Sequence, residues 1–274
     1  MNTPEELKQI VKDKYTIIAE QPMDANASSC CGATSCCDGT YTIMSDDYSG
    51  REGYAPEADL GLGCGIPTDH AGIREGMTVL DLGSGAGNDV FIAAREVGPA
   101  GFVIGVDMTE AMIMKADENK GKLGATNVDF RLGEIEALPV DDNSVDVVVS
   151  NCVLNLVPDK ARAFAEIFRV LKPGGSFTVS DIVVDGEMPG HLRGVATMYA
   201  GCVSGAEKRE EYLGHISSAG FTDVAVPKEK DIHIPDSVLQ SELAHLPADQ
   251  RTMGAARLVS VTVRGVKADR RIGG

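Results

Sequence analysis

MTVLDLGSGAGND, residues 77–89, runs from an apolar strand through a glycine-rich turn into the start of a helix. Asp81 closes the strand, and Gly83, Ser84, Gly85 and Gly87 form a turn in which backbone can approach a ligand where side chains would block it. Asp107 stands 20 residues beyond Gly87, at the end of a second strand, GFVIGVD. An acid at that strand end can accept hydrogen bonds from both hydroxyls of a ribose. The spacing Gly83-x-Gly85-x-Gly87 differs from the G-x-G-x-x-G of dinucleotide sites, so NAD is the weaker choice of ligand.

Around this turn the chain alternates strand and helix. Helical patterns at GNDVFIAAREVG, TEAMIMKADENKGKLG and KARAFAEIFRVL separate strand patterns at NVDFRLG, VDVVVSN and SFTVSDIVV. That rhythm predicts an α/β protein with a doubly wound, mostly parallel sheet and right-handed crossovers. Upstream, Thr3, Pro4 and Glu6 read as N-cap, helix-initiating proline and capping-box acid of an N-terminal helix that docks on the main body. Periodicity then disappears between about residues 21 and 65, where Gly, Ser, Asp, Cys and Pro dominate. Downstream, ARLVSVTVRGVK alternates as a late strand near the sheet edge, within a small C-terminal α+β extension. The expected division is 1–65 for the N-terminal helix and Cys-rich loop, 66–225 for the core and 226–274 for the C-terminal segment.

Composition sets the partners. Over 274 residues, 25 Lys and Arg against 41 Asp and Glu give a net charge of −16, which repels phosphate backbones and anionic lipid surfaces. No apolar run has the ~18 residues of a membrane span, and the charged start lacks the apolar core of a signal peptide. A cytoplasmic protein that binds neither nucleic acid nor membrane is expected. Seven cysteines are an odd number and too few for a disulfide scaffold of this length, so chemical use is expected of them. Cys30, Cys31, Cys36 and Cys37 crowd into SSCCGATSCCDG, whereas Cys64, Cys152 and Cys202 are scattered. Cys152 follows the strand VDVVVSN and should stand at the mouth of the ligand crevice, where a soft thiolate suits a thiophilic atom such as trivalent arsenic or zinc. The five histidines have no short metal-ligand spacing.

The segments DLGSGAGND, GVDMTEAM, LGEIEALP and RVLKPGG resemble the class I S-adenosylmethionine-dependent methyltransferases, whose Rossmann-like core has a seven-stranded sheet. By that resemblance Gly83, Ser84 and Gly85 face the methionine part of S-adenosylmethionine, Asp107 the ribose, and Glu134 with Ile135 the adenine. Asp81, Gly87, Met108 and Asn151 complete the expected cofactor set. GLGCGIP, VDVVVSNCVLNLVPDK and YAGCVSGA, in order with those motifs, narrow the likeness to the arsenite methyltransferases over roughly residues 5–225. In that family cysteines matching Cys152 and Cys202 bind trivalent arsenic, and one matching Cys64 acts with a cysteine of the N-terminal loop, here Cys31 or Cys36, as third thiolate and redox partner. The resemblance thus implies arsenite and methylarsenite as substrates, reduced thioredoxin or glutathione as reductant, and a monomer or weak dimer. Two departures stand out. Two cysteine doublets replace the single loop cysteine of many members, and Leu62 stands where many carry Tyr. The residues alone also fit a methyltransferase of a small organic substrate, such as a quinone precursor, or a thiol-rich metal-binding or redox protein.

Overall fold

The computed structural model describes residues 3–21, 47–61, 63–190, 205–233, 240, 243–244 and 246–269. Helix α1 (Pro4–Glu20) opens as its sequence requires. Thr3 caps it through the Glu6 N–H at 3.2 Å, and the Glu6 carboxylate accepts from the Thr3 N–H at 2.7 Å. A one-turn helix α2 (Thr68–Ala71) precedes the alternating units: β1 (Thr78–Leu82), α3 (Asn88–Val97), β2 (Phe102–Asp107), α4 (Glu110–Leu123), β3 (Val128–Leu132), β4 (Val145–Asn151), α5 (Lys160–Val170) and β5 (Leu171–Asp185). Helix α6 (Arg209–Ser218), β6 (Thr222–Ile232) and β7 (Arg257–Val266) complete the fold.

The sheet has seven strands in the order β3-β2-β1-β4-β5-β7-β6. The first five are parallel, and β7 pairs antiparallel with both β5 and β6. The expected doubly wound, mostly parallel sheet is therefore present. One detail differs, because β7, read as a late edge strand, lies between β5 and β6. Burial gives the reason: β7 has eight buried or half-buried positions after Arg257, with Arg264 as the exposed exception, whereas β6 alternates exposed and half-buried along its length. An evenly wetted strand belongs at an edge. Strand β6 also runs across residues 225–226, where the sequence reading starts the C-terminal segment.

Two layers of side chains hold the sheet. On one face Leu80, Leu82 and Val148 meet Phe164 and Ile167 of α5 and Tyr212 and Ile216 of α6. Phe164, Phe177, Tyr212, Phe221 and Phe168 are linked through ring contacts of 4.6–5.9 Å between centroids. On the other face Val79, Val103, Val147 and Val149 pack against Val90, Ala93 and Val97 of α3.

Asp181 of β5 is buried beside this aromatic group, 3.3 Å from the Tyr212 hydroxyl that donates to it. Burial pushes its carboxyl up from 3.8 to about 7, against the opposing pull of the Lys160 charge and the Ile182 N–H. A carboxyl whose pKa is raised on folding contributes stability that is present below its unfolded value and lost as pH rises through the folded one. Wild type should therefore lose stability relative to Asp181→Asn as pH climbs from about 4 to about 7, with no further change above. Thermal melts of both proteins across that range check this. Parallel profiles would refute it.

Candidate active site

The C-terminal ends of β1, β2 and β4 open into one pocket, as expected where strand order reverses about β1. Gly83 and Ser84 turn the chain back, their N–H groups donating to the Val106 carbonyl at 2.7 and 3.0 Å. The Gly85 N–H donates to Asp107 Oδ2 at 3.0 Å, and the Thr109 N–H to Oδ1 at 2.8 Å, so Asp107 braces the turn. Gly87 caps α3 with φ of 100°, and a Cβ there would lie 2.7 Å from the Phe91 ring and 2.9 Å from that of Phe130. Its role is packing beneath the turn. Asp81, Gly83, Ser84, Gly85, Asp107, Met108, Glu134, Ile135 and Asn151 line one pocket, which Gly87 does not reach.

Three carboxylates gather here. Burial raises Asp81 well above its ordinary range, with Asp89 and Asp107 adding to the effect. Burial also lifts Asp89 to about 6, although hydrogen bonds from Asn151 and Tyr48 oppose it, and lifts Asp107 against the N–H groups of Thr109 and Gly85. Acids held this way favour a cationic ligand, which removes their mutual repulsion. Ser84 Oγ, Asn88 Oδ1 and Asp89 Oδ1 are buried without a hydrogen-bond partner among the described residues. Such groups call for a polar ligand.

Helix α1 forms the roof, through Lys8, Val11 and Tyr15. Lys8 Nζ lies 2.8 Å from Glu134 Oε2 and 2.9 Å from Glu136 Oε2, and Lys12 Nζ lies 3.4 Å from Glu134 Oε1. Burial works against the Lys8 ammonium, yet these carboxylates leave its pKa raised, and the Lys8 bond holds Glu134 below its ordinary value. Glu134, expected at the adenine, thus also latches the roof. The more exposed pairs, Lys8–Glu134 and Lys12–Glu134, are each worth about 0–1 kcal/mol. The pairing had no local signal, because the partners are 126 residues apart.

Cys152 lines the pocket, and its sulfur is joined to that of Cys64 in a disulfide with Cα atoms 5.8 Å apart. Both cysteines are 3% exposed, among Val11, Leu156, Ile182 and Met188. Cys152 adopts φ of 57°, a left-handed conformation uncommon outside glycine, with its N–H donating to the Ser180 carbonyl at 2.7 Å. The structure thus brings together two of the cysteines singled out in the sequence, 88 residues apart. Cys31, Cys36 and Cys202, with Cys30, Cys37 and Leu62, lie outside the described residues. Tyr48 is a site residue that sequence reasoning missed. It is buried, donates to the Gly65 carbonyl at 2.9 Å and accepts from Asn151 Nδ2 at 2.7 Å. No motif surrounds it, so only tertiary contact reveals it. Among the described residues there is no cluster of three or more His, Cys, Asp or Glu that would hold a metal ion, and no helix long and apolar enough to cross a membrane.

Comparison with known proteins places the fold. Residues 73–234 match the methyltransferase domain family. The arsenite methyltransferase of Halobacterium salinarum is 44% identical over 241 residues, 83% of this chain and 60% of that protein. That of Aquipseudomonas alcaligenes is 34% identical over 271 residues, 96% of this chain and 73% of that protein. The crystal structure of an arsenic(III) S-adenosylmethionine methyltransferase from Chlamydomonas reinhardtii superposes with a TM-score of 0.66 at 40% identity, covering 77% of this chain and 69% of that one. The chain therefore spans about 60% of the length of the archaeal relative and 53% of the human arsenite methyltransferase, to which it is 35% identical.

Proposed function

The chain belongs to the arsenite methyltransferase family of the Rossmann-like methyltransferases, and from that premise we propose that it transfers methyl groups from S-adenosylmethionine to trivalent arsenic held by its own thiolates. The observation that carries this reading is Cys152, a soft ligand lining the glycine-turn pocket and paired with Cys64. Cys202 is the proposed further thiolate, and Cys31 or Cys36 the proposed loop cysteine. Methylated arsenicals are the proposed products, and arsenic detoxification the proposed role.

The pocket residues fit S-adenosylmethionine. Its cationic groups would suit Asp81 and Asp89, its ribose Asp107, and the buried oxygens of Ser84 and Asn88 would gain partners. When bound, it supplies an electrophilic methyl group. Asp107 and the Gly83–Gly85 turn would orient it, and α1, held by the Lys8–Glu134 ion pair, would cover it against water. On the arsenic side, each As–OH exchanges with a cysteine S–H, forming As–S and releasing water. Cys152 then holds the arsenic lone pair toward the pocket, and no general base is needed because the lone pair carries no proton. Holding the reactants in a near-attack arrangement can supply on the order of 7 kcal/mol or more of the barrier.

Methylation formally takes arsenic from the trivalent to the pentavalent state. Two arsenic-bound thiolates return it to the trivalent state by leaving as a disulfide, and the Cys64–Cys152 bond has the form of that spent pair. A reduced thioredoxin or glutathione would reopen it, forming its own disulfide and returning two thiols. We place this cycle in the cytoplasm, where such thiols stay reduced, in a monomer or weak dimer.

Purified protein incubated with arsenite, S-adenosylmethionine and either reductant should yield methylated arsenic, read by chromatography coupled to elemental mass spectrometry. A folded protein that binds the cofactor and produces none would refute the proposal. Protein reduced beforehand and then freed of reductant should yield no more than about one methyl group per chain.

A further inference from the structure

Both glycines beside Cys64 press against residues that support Cys152. A Cβ on Gly63 would lie 2.5 Å from Asn151 Nδ2, and one on Gly65 would lie 2.5 Å from Ser180 Oγ. The loop is also pinned by its peptide groups. The Cys64 N–H donates to Asn151 Oδ1 at 3.1 Å, and the Cys64 carbonyl accepts from Ser260 Oγ at 2.6 Å. The Gly65 carbonyl accepts from Asn151 Nδ2 at 2.8 Å and from the Tyr48 hydroxyl at 2.9 Å. Asn151 directly precedes Cys152, so the separation of the two sulfurs is set through these bonds.

Tyr48 has a single hydroxyl proton and a choice of acceptors. Besides the Gly65 carbonyl, Asp89 Oδ2 lies 3.3 Å from it. Asp89 is 8% exposed, lines the cofactor pocket, and its Oδ1 has no partner among the described residues. Asp89 Oδ2 also accepts from Asn151 Nδ2 at 3.4 Å, but a buried carboxylate with its Oδ1 unpartnered still competes for the Tyr48 proton, and a ligand amine at Oδ1 would weaken that competition.

We propose that Tyr48 is a positioning residue that couples the cofactor pocket to the thiol pair: an amine cation at Asp89 removes the competing acceptor, strengthening the Tyr48 bond to the Gly65 carbonyl, holding the Cys64 loop more firmly on Asn151 and favouring the Cys64–Cys152 bond. The coupling rests on the pocket being the cofactor site and is independent of arsenic. It is also reciprocal. Whatever factor the ligand adds to disulfide formation, the disulfide adds to ligand affinity.

S-Adenosylhomocysteine, which keeps the amine and lacks the transferable methyl, is the probe. The whole protein is equilibrated in buffers of oxidised and reduced dithiothreitol without arsenic, so that two protein thiols lose their hydrogens as cyclic dithiothreitol is reduced. Acid quenching, alkylation and peptide mass spectrometry then give the Cys64–Cys152 disulfide-to-dithiol ratio. Saturating ligand should raise that ratio about two- to tenfold, the effect of one hydrogen bond. Calorimetry should show the same factor between ligand affinities of the oxidised and reduced proteins. Tyr48→Phe, which leaves Asp89 in place, should bind the ligand with a factor near one. Asn151→Ala should lower the ratio about tenfold or more even without ligand, because it removes two hydrogen bonds to the loop. An unchanged ratio in wild type, an equal factor in Tyr48→Phe, or Cys152 paired with a different cysteine would overturn the coupling. Absence of any ligand binding would overturn both the coupling and the cofactor reading. A protein that shows the coupling yet leaves arsenite unmethylated would overturn the substrate reading alone.

Discussion

If the chain methylates arsenite as proposed, Cys152→Ser is expected to lower that transfer by about a thousandfold or more, while S-adenosylhomocysteine affinity stays within about threefold of that of reduced wild type. The hydroxyl keeps the shape of the side chain but is smaller, hard and weakly ionised, so trivalent arsenic would lose the proposed soft anchor that aims its lone pair into the pocket. Losing that near-attack placement is what makes the effect so large. Reduced wild type is the proper reference because both proteins then lack the cross-link. Closing a loop of 88 residues is worth about 4–5 kcal/mol in the chain-entropy picture, and an oxidised reference would confuse that stability with catalysis. Product speciation and calorimetry on the same preparations check the two halves of the expectation. Retained arsenite methylation in the variant would overturn Cys152 as the arsenic ligand.

Gly83→Ala should reduce S-adenosylhomocysteine affinity by roughly a hundredfold and stability by about 2–4 kcal/mol. Gly83 has φ of 67°, and a Cβ there would lie 2.4 and 2.6 Å from the two methyl groups of Val153. Left-handed backbone accounts for about 1–2 kcal/mol of the cost and the clash for the rest. Val153 follows Cys152, so relief of the clash displaces the cysteine together with the turn. Gly72→Ala separates the two contributions, since Gly72 has φ of 66° with open space around its added Cβ. That control should lose only the conformational part, with ligand affinity unchanged. Chemical denaturation and ligand titration of both variants provide the measurement, and equal losses in the two would remove the steric argument.

Much of this was legible locally. Strand β1, its glycine turn and α3 are encoded within residues 77–97, and the capping box of α1 within four residues, so each could be read without knowing what it packs against. Asp107 was found by spacing from the turn it braces. Helix α6 escaped because only Tyr212 and Ile216 of its ten residues are buried, too short a stripe to show as periodicity. Strand β7 was recognised as a strand, but its place in the sheet depended on comparing its burial with that of β6. The Tyr48–Asn151–Gly65–Asp89 contacts join four separate parts of the chain, and side-chain amides and hydroxyls of this kind are common at turns everywhere. Cys64 and Cys152 were each singled out, while their bond needed coordinates.

The position of β7 also bears on how the chain is made. Strands β1 to β4 can pair as they leave a ribosome, at about 5–20 residues per second. Strand β5 then presents an open edge, and its antiparallel neighbour is not synthesised until residues 257–266 emerge. During that interval nascent β5, which backs Cys152 through the Ser180 carbonyl, offers unpaired amides and carbonyls to any other chain. The β5 side of the sheet, against which Cys152 sits, is thus the last to be sealed, after the strands that carry the glycine turn have paired.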